Sequence, residues 1–444
     1  MRLAIEKLWA ILAALLLAIA LPAVAETLEE AVKQTLSTNP DVLIDASRRQ
    51  SVEQALNQAK GGFMPRVDLA FGRGHQYSDN LTTQQTYGGA IGQLRYDRSL
   101  TISQMLFDGF ATTSEVERNR ARVSSAAHRV AATSEQICLR AVEAYLEVLR
   151  NQEIIALTQD NLAVHQRTYD QIKLRAASGV GRKADQDQIE ARLALSKSNL
   201  TAAEANLKVA EINYRLVVGS SPGTLVPPTA PDSKLIPITP EEALPLALAN
   251  NRLLKSAKAD IEAAQAQNHG ARATLFPRLD LELSASKNNL LSPVDITNDA
   301  SHSAMLRLRY NLFKGNTDVA RLEETRFLVR EAEEVERRAE RQLEQSLRLS
   351  WNAYTSAQER LPFLTKHAES SQLTREAYAK QFSLGQRTLL DLLDTENEAF
   401  TASSNLLNGR YVELFSRYRV LADMSMLLDT VGVPHRDEAV SGAH

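Results

Sequence analysis

The chain has little cysteine and no long apolar run after its first residues, and both shortages restrict its architecture. It contains one cysteine, Cys138, in 444 residues, so an internal disulfide is impossible. That residue lies within a helical pattern, which indicates a packed thiol rather than a nucleophile. Beyond residue 25, no segment approaches the roughly 20 apolar residues that a membrane-spanning helix needs. Any later membrane crossing must therefore use β-strands.

The first 25 residues have the composition of a signal peptide. Arg2 and Lys7 give a basic start, residues 8–21 are apolar, and residues 23–25 (Ala-Val-Ala) fit the small-x-small pattern that signal peptidase reads. A membrane anchor is the alternative, but the apolar run is shorter than a spanning helix requires. We predict cleavage before Glu26, which leaves no cysteine at the new amino terminus to carry a lipid.

Neither the charge nor the histidines indicate nucleic-acid binding or catalysis. The mature chain loses two of the 51 basic and one of the 54 acidic residues, which leaves 49 and 53 and a net charge of −4. Such a chain has no basic stripe for nucleic acid. Its eight histidines form no His-x-x-x-His pair and no Cys-His cluster. We therefore predict that the protein is not an enzyme and uses no cofactor or metal ion.

The sequence contains an internal repeat. Residues 27–31 (Thr-Leu-Glu-Glu-Ala) recur as residues 239–243 (Thr-Pro-Glu-Glu-Ala), a shift of 212 positions. Further along the chain the shift becomes 206, because residues 198–200 (Ser-Asn-Leu) recur as residues 404–406. The six-residue difference falls between two predicted strands, where a loop can shorten without moving the framework.

A proline-rich segment separates the two copies. Residues 219–240 contain six of the 14 prolines and cannot continue a helix. The predicted organisation is a signal peptide over residues 1–25, a first repeat over 26–218, this linker, a second repeat over 241–431 and a tail over 432–444. The tail shows no periodicity, and its last ten residues are predicted to be disordered.

Each repeat contains two segments in which apolar and polar residues alternate. We predict paired strands at residues 65–77 with 93–107, and at 277–287 with 302–313. A half-buried hairpin on a soluble core is the alternative, but the lengths suit the roughly 9–11 residues of a membrane-crossing strand. Four strands cannot close a barrel, which needs about eight, so several chains must share one.

The segments that follow each strand pair have the spacing of coiled-coil helices. Long helices are predicted over residues 110–176, 184–217, 316–382 and 388–429, and Pro362 is predicted to interrupt and kink the third. At about 1.5 Å per residue the longest would reach ~100 Å, which indicates a rod or the wall of a tube. Apolar residues recur every seventh position, for example Val116, Val123, Val130, Ile137 and Ala144, and Leu393, Phe400, Leu407, Leu414 and Leu421.

These patterns resemble the TolC-type outer-membrane factor family over about residues 26–431. The resemblance depends on the duplicated layout, on the opening motif at Thr27 followed by Asn39-Pro40, and on Pro-Arg-x-Asp-Leu at Pro65 and Pro277. It also depends on a Gly-x5-Asp turn between heptad helices in both repeats. The resemblance implies a mainly α fold in which three chains share a twelve-stranded membrane β-barrel and a long coiled-coil helical tube.

The resemblance assigns functions to the two inter-helix turns. Gly179-Val180-Gly181 and Ser383-Leu384-Gly385 would dock a periplasmic adaptor protein, although turn geometry alone also explains the glycines. Asp391 and Asp394 lie three positions apart on one helical face. In a homotrimer they would form a ring of six carboxylates that favours cations at a closed aperture. An ordinary solvated helix face is the alternative for this pair.

The same resemblance implies a latch that holds the aperture closed. Members of the family use a tyrosine, an arginine and an aspartate, and Arg387 and Asp185 occupy two of these positions here. Phe382 occupies the tyrosine position and lacks the hydroxyl that the hydrogen bond needs. The latch is therefore predicted to depend on an Arg387–Asp185 pair.

The implied function is the exit duct of a type I protein secretion system in a Gram-negative bacterium. The duct would lie in outer-membrane lipid, extend into the periplasm and accept a substrate from an inner-membrane ABC transporter and a periplasmic membrane-fusion (adaptor) protein. The missing lipidation cysteine favours secretion over the alternative, a small-molecule or multidrug efflux pump driven by protons. A periplasmic coiled-coil structural protein is a remote alternative, and the two-faced strands argue against it.

Overall fold

A computed structural model of the chain describes residues 25–179, 181–291 and 296–440. The predicted signal peptide therefore lies outside the described residues except for Ala25, and so does Val180 of the first predicted docking turn. Within the described ranges, no helix combines the length and the apolar character that a membrane crossing would need.

The two repeats have matching series of elements. The first contains α1 (Leu28–Thr38), α2 (Pro40–Gly61), β1 (Arg66–Ser78), α3 (Leu81–Tyr87), β2 (Ile91–Phe107), α4 (Ala111–Ala177) and α5 (Lys183–Val218). The second contains α6 (Pro240–Asn250), α7 (Arg252–Ala271), β3 (Arg278–Leu291), β4 (Ile296–Arg309), α8 (Thr317–Ser383), α9 (Leu389–Asp423) and the short α10 (Leu427–Val431). Helices α4 and α8 both have 67 residues and begin 206 positions apart, the shift seen in the sequence.

The repeated opening motif works as a helix start. Thr27 accepts a hydrogen bond from the backbone N–H of Glu30 at 3.3 Å, and the Glu30 carboxylate accepts one from the Thr27 N–H at 2.9 Å. Thr239 accepts the equivalent bond from the Glu242 N–H at 3.3 Å. These contacts satisfy amide groups that have no partner within the first turn of a helix. The motif therefore defines where α1 and α6 begin.

The described chain divides into two compact units. The first comprises residues 25–46, 129–253 and 340–440, and the second comprises residues 47–128 and 254–339. The core of the first unit contains Ile137 and Ala144 of the first heptad series, together with Val148, Tyr214 and Leu428. Burial of such residues against one another is the main source of stability for long amphipathic helices.

Tyrosines fix the proline-rich linker in place within the first unit. The hydroxyl of Tyr145 lies 2.7 Å from the carbonyl oxygen of Glu26 and 2.6 Å from that of Val226. Tyr214 donates a hydrogen bond to the Glu26 carboxylate at 2.6 Å, and Glu26 forms a parallel bridge with Leu225. Two buried phenols thus hydrogen-bond to backbone carbonyls and a carboxylate of residues that lie outside the helices.

The second unit contains one antiparallel sheet with the strand order β1-β2-β3-β4. Arg66 pairs with Ser103 between β1 and β2, and Arg278 pairs with Arg309 between β3 and β4. The last predicted strand, 302–313, is therefore misplaced, because β4 begins at Ile296 and ends at Arg309. Its pairing ends there because β3 begins only after Pro277, which has no N–H to donate.

Two further predictions need correction in the second repeat. The helix predicted over residues 388–429 ends at Asp423, and Ser425 takes a left-handed φ of 54° before α10 begins. This break lets Met424 and Leu427 both be fully buried. By contrast, α8 continues through Pro362, which was predicted to interrupt it.

The prediction of a disordered tail is wrong for residues 435–440. Residues 437–439 form a short 3-10 helix, and Ala439 is buried beside Val130 and Ala131. Arg436 donates a hydrogen bond to the carbonyl oxygen of Leu36 at 2.9 Å. One small apolar residue and one arginine carry this anchorage, which is too short a pattern for periodicity to detect. Residues 441–444 lie outside the described residues.

Candidate functional site at the helical tip

In each repeat, one glycine lies in the turn where the chain reverses between the two long helices. Gly179 and Gly385 adopt left-handed φ values of 77° and 73°. Their N–H groups donate to the carbonyl oxygens of Ala176 at 3.1 Å and Phe382 at 3.0 Å. A Cβ added at either glycine would meet nothing within 4 Å, so the backbone conformation and not crowding requires glycine. The same backbone turn is therefore present in both repeats.

A side-chain capping box follows the second turn, and the helix after the first turn has no side-chain cap hydrogen bond. Thr388 is the N-cap of α9, and its hydroxyl accepts from the Asp391 N–H at 3.2 Å. The Asp391 carboxylate accepts in return from the Thr388 N–H at 3.1 Å and hydroxyl at 2.8 Å. In the first turn, Arg182 is the N-cap of α5 and makes no side-chain capping bond. Asp185, the equivalent of Asp391, therefore has no cap to complete.

An apolar cluster joins the four helices at this tip. Phe382 of α8 is buried there with Ile172 of α4 and Ile189 of α5, and three leucines of α9 complete it: Leu389, Leu392 and Leu393. The guanidinium of Arg175 lies 5.2 Å from the Phe382 ring centroid. A phenylalanine suits this position because it needs no hydrogen-bond partner when buried. Phe382 therefore contributes packing here.

The Arg387 side chain contacts residues of its own hairpin. Its guanidinium lies 4.1 Å from the Tyr378 ring centroid, and its Nε donates to the Gln381 side chain at 3.0 Å. Stacking of a guanidinium on a ring favours this arrangement. Among the described residues of the single chain, Arg387 forms no ion pair with Asp185. The predicted Arg387–Asp185 latch therefore stays a prediction for contacts between chains.

The two predicted aperture carboxylates have different surroundings. The hydrogen bonds from the Thr388 side chain and backbone lower the pKa of Asp391, and Arg387 adds to this effect. The Asp394 side chain is 61% exposed, and its Oδ1 lies 3.4 Å from Nη2 of Arg192 on α5. Asp391 is thus ionised and fixed by its cap, whereas Asp394 is exposed beside a partly screening cation.

A buried ion pair that the sequence patterns did not predict lies beside this tip. The side chain of Glu396 is 7% exposed and lies 3.7 Å from Nη1 of Arg375. Burial raises the pKa of Glu396, and Arg375 and Arg167 oppose that change. Glu396 follows Leu389 by seven positions, so it occupies a core position of the heptad pattern. A charged residue at such a position is the signal that could have revealed this pair.

The sheet, the long paired helices and the tip together make a fold that can be compared with known proteins. The sequence profile described as outer membrane efflux protein matches residues 31–220 and 243–414. The chain therefore belongs to the outer membrane efflux protein family, and the predicted family resemblance is confirmed. The family and its structural relatives are channel proteins.

Individual relatives agree with this assignment over most of their lengths. The outer membrane efflux protein BepC of Brucella suis is 24% identical over 414 residues, 93% of this chain and 88% of that protein. The alkaline protease secretion protein AprF of Pseudomonas aeruginosa is 23% identical over 386 residues, 85% of this chain and 79% of that protein. A solved structure of the outer-membrane channel OprN has a TM-score of 0.74 at 20% identity, covering 90% of this chain and 89% of that one.

The predictions of fold class and location are confirmed by these comparisons. The chain is an outer-membrane efflux or secretion channel of the TolC type, with a fold of long helices and four strands. It lies in the outer membrane and extends into the periplasm.

Proposed function

We propose that this chain is the exit duct of a type I protein secretion system. Three identical chains form the duct, and an inner-membrane ABC transporter and a periplasmic adaptor deliver the substrate to its tip. The observation that carries the choice of secretion is the similarity, over 85% of this chain, to a protein named for alkaline protease secretion. The predicted mature amino terminus, which has no cysteine to carry a lipid, supports the same choice.

The sheet supports the proposal of a trimer. Strands β1 and β4 are its two edges, and each edge has a row of backbone groups with no partner in the sheet of the single chain as described. In lipid, such groups cost several kcal/mol each unless another strand pairs with them. Pairing β4 of one chain with β1 of the next satisfies both edges. Three chains then supply twelve strands, more than the roughly eight that close a barrel.

The tip supports the proposal of adaptor docking. Leu384 lies between Ser383 and Gly385 in the second turn, and 72% of its surface is exposed. An exposed leucine in a turn of fixed backbone geometry offers an apolar anchor to a partner. Gly179 and Gly181 provide the equivalent turn in the first repeat. In the trimer, Asp391 and Asp394 would place six carboxylates near the three-fold axis and favour cations there.

The test compares the secreted proteins of a deletion strain with those of its parent. Loss of one large exported protein, restored by the wild-type gene, is the expected result. The Leu384→Asp variant should restore less secretion, and Leu195→Asp, a matched change at another exposed leucine, is its control. An unchanged set of secreted proteins would argue against type I secretion.

Small-molecule efflux is the second candidate, favoured by the similarity to a relative named as an efflux protein over 93% of this chain. In that case a proton-driven pump replaces the ABC transporter. The deletion strain would then accumulate dyes and become more sensitive to drugs while its secreted proteins stay the same. The same strain therefore discriminates between the two functions.

A further inference from the structure

The two faces of the four-stranded sheet differ in how their positive charges are paired. We call the face that carries the acidic side chains the polar face and the opposite one the apolar face. On the polar face, every arginine lies 2.7–3.0 Å from its closest carboxylate. These pairs are Arg66–Asp68, Arg95–Asp97, Arg278–Asp280, Arg307–Glu282 and Arg309–Glu282. This face is charged but locally neutralised.

The apolar face begins as a continuous hydrophobic surface at the end of the sheet that joins the helices. The strand registers place these side chains on it: Val67, Leu69, Phe71, Leu100, Ile102, Leu281, Leu283, Leu306 and Leu308. A strand's side chains alternate between faces, so these residues share one side of the sheet. This surface is the side that contacts lipid in an outer-membrane sheet.

Farther towards the hairpin ends, the same apolar face carries exposed cations. Arg98 of β2 and Lys287 of β3 are direct cross-strand partners. Arg73 of β1 lies nearby, with its guanidinium 5.3 Å from the Tyr96 ring centroid. Within the described part of the chain, neither Arg98 nor Lys287 has a carboxylate or hydrogen-bonding side chain as a partner. These three cations, Arg73, Arg98 and Lys287, are called the cationic row below.

A counter-ion from outside the chain would stabilise this arrangement. Like charges placed directly opposite each other on one face destabilise a strand pair. A charge that faces hydrocarbon is also costly, and the cost decreases as the charge approaches the interface. On the polar face, carboxylates offset the repulsion and the side chains do not face hydrocarbon, whereas the cationic row has no carboxylate partner among the described residues. An anion at the membrane boundary would remove the repulsion.

The cationic row lies at the outer boundary of the lipid. The helices continue from the opposite strand ends towards the periplasm, so the hairpin ends face outward. Ala300 of β4 pairs with Lys287 and so marks the level of the cationic row. Leu308, at the other end of the apolar surface, is eight positions farther along β4. That is about 27 Å along a strand, or ~20 Å across a bilayer for a strand tilted by ~40°. The row therefore lies close to the edge of an apolar band of about 25 Å.

Aromatic residues mark the same boundary. Tyr96 lies beside Arg73, and Tyr77, farther along β1 on this face, is 77% exposed. Tyrosines concentrate at the level of lipid headgroups because their rings are apolar and their hydroxyls are polar. Their position supports placing the cationic row among headgroups rather than in hydrocarbon.

A shallow groove adjoins the cationic row on its membrane side. It has a volume of about 420 Å³ and is lined by Leu100, Ile102, Leu283, Ala285, His302 and Ala304, among others. Ala285 and Ala304 are small, so the leucines beside them rise above the groove floor. The Leu100–Ala285 pair is only two positions from the Arg98–Lys287 pair. An acyl chain in this groove would place its headgroup beside the cations.

We propose that the cationic row and the groove dock a phosphate-bearing glycolipid of the outer leaflet, of the lipid A class. Its phosphates lie against Arg98, Lys287 and Arg73, and one acyl chain occupies the groove. The cations extend over three strands, which suits a headgroup with two separated phosphates better than one with a single phosphate. The inference depends on the outer-membrane location and not on which substrate the channel exports.

The test measures lipid retained by the purified full-length protein in phosphatidylcholine nanodiscs that contain a small fraction of bisphosphorylated lipid A. Retained lipid is counted by native mass spectrometry. Arg98→Gln/Lys287→Gln should lower the apparent affinity roughly tenfold or more, because two charge contacts to phosphate are lost. The matched control, Arg66→Gln/Arg95→Gln, removes two charges from the polar face and should retain lipid A like the wild type. Equal retention by the wild type and the Arg98/Lys287 variant overturns the proposal.

Two further measurements distinguish a lost lipid contact from a folding defect of the variant. The charge-preserving swap Arg98→Lys/Lys287→Arg should retain lipid A, because charge rather than side-chain shape carries the contact. The wild type should also bind dephosphorylated lipid A at least several-fold more weakly than the bisphosphorylated form. If phosphatidylglycerol is retained as well as lipid A, the choice of a glycolipid is wrong.

Discussion

The two turns at the tip have the same backbone and different side-chain chemistry. Gly179 and Gly385 take nearly equal left-handed φ values, and each donates to a carbonyl three residues earlier. The second turn then adds the Thr388–Asp391 cap, whereas the first has no side-chain cap on α5. Duplication has therefore preserved the geometry that reverses the chain and allowed the charges around it to diverge.

The difference assigns separate tasks to the two turns. Arg387 and Asp391 already have partners within the second hairpin, so neither side chain needs a neighbouring chain to pair with. Asp185 of the first turn has no hydrogen bond or ion pair among the described residues. In the proposed trimer, it would be the carboxylate available to an arginine of an adjacent chain. The contrast can be tested by breaking each turn separately.

The largest effect is expected from removing the apolar cluster that both hairpins share. Phe382→Ala leaves a cavity among α4, α5, α8 and α9 and should cost about 3–5 kcal/mol of local stability. Hydrogen exchange of the tip amides measures this loss in both hairpins together. Leu384→Ala, at an exposed position two residues away, is the control and should change protection little. Undiminished protection in the Phe382 variant would show that the cluster does not couple the hairpins.

A smaller effect is expected when the latch between chains is broken. Asp185→Ala removes the available carboxylate, and Arg387→Ala removes its predicted partner. If the pair contributes ~1–2 kcal/mol to the closed state, either change should raise the open fraction roughly 5- to 30-fold. Resting conductance in a planar bilayer measures this fraction.

The control for the latch is a charge that belongs to the same tip but not to the pair. Asp187→Ala removes a carboxylate that Lys183 holds at 2.8 Å within α5. Its conductance should equal that of the wild type. Wild-type conductance in both latch variants would instead show that the apolar cluster alone holds the resting state.

Removing the cap of α9 should lower the stability of that helix, and adding a cap to α5 should raise the stability of α5. Thr388→Ala removes the cap of α9 and should cost ~1 kcal/mol. Arg182→Thr places a threonine three residues before Asp185, recreates the missing box in the first turn and should stabilise α5 by about 0.5–1 kcal/mol. Hydrogen exchange at the first amides of α5 and α9 measures both changes. No gain from Arg182→Thr would mean that the first turn lacks the cap for a geometric reason.

These contrasts also show what the sequence could predict. Periodicity located three of the four long helices to within a residue of their ends, because heptad spacing and missing glycines extend over many turns. The fourth ends six residues before its predicted end, at Asp423. It could not locate Tyr378 as the partner of Arg387, because that contact depends on the path of the chain around Gly385. The anchorage of the tail by Arg436 and Ala439 escaped prediction for the same reason. Contacts of both kinds have no repeating spacing, and those of the tail also join residues that are distant along the chain.

The smallest effect concerns pH and again separates the two turns. Hydrogen bonds from Thr388 lower the pKa of Asp391 below its usual value of 3.8. A carboxylate whose folded-state pKa is lowered contributes stability above its unfolded pKa, and this contribution is lost as pH falls through the folded value. Protection at the start of α9 should therefore fall as the solution is acidified below about pH 4. The Asp391→Asn variant should lack this step, and α5 should not show it in the wild type because Asp185 holds no cap. A step of the same size in both helices would mean that general acid unfolding, and not the Thr388–Asp391 cap, causes it.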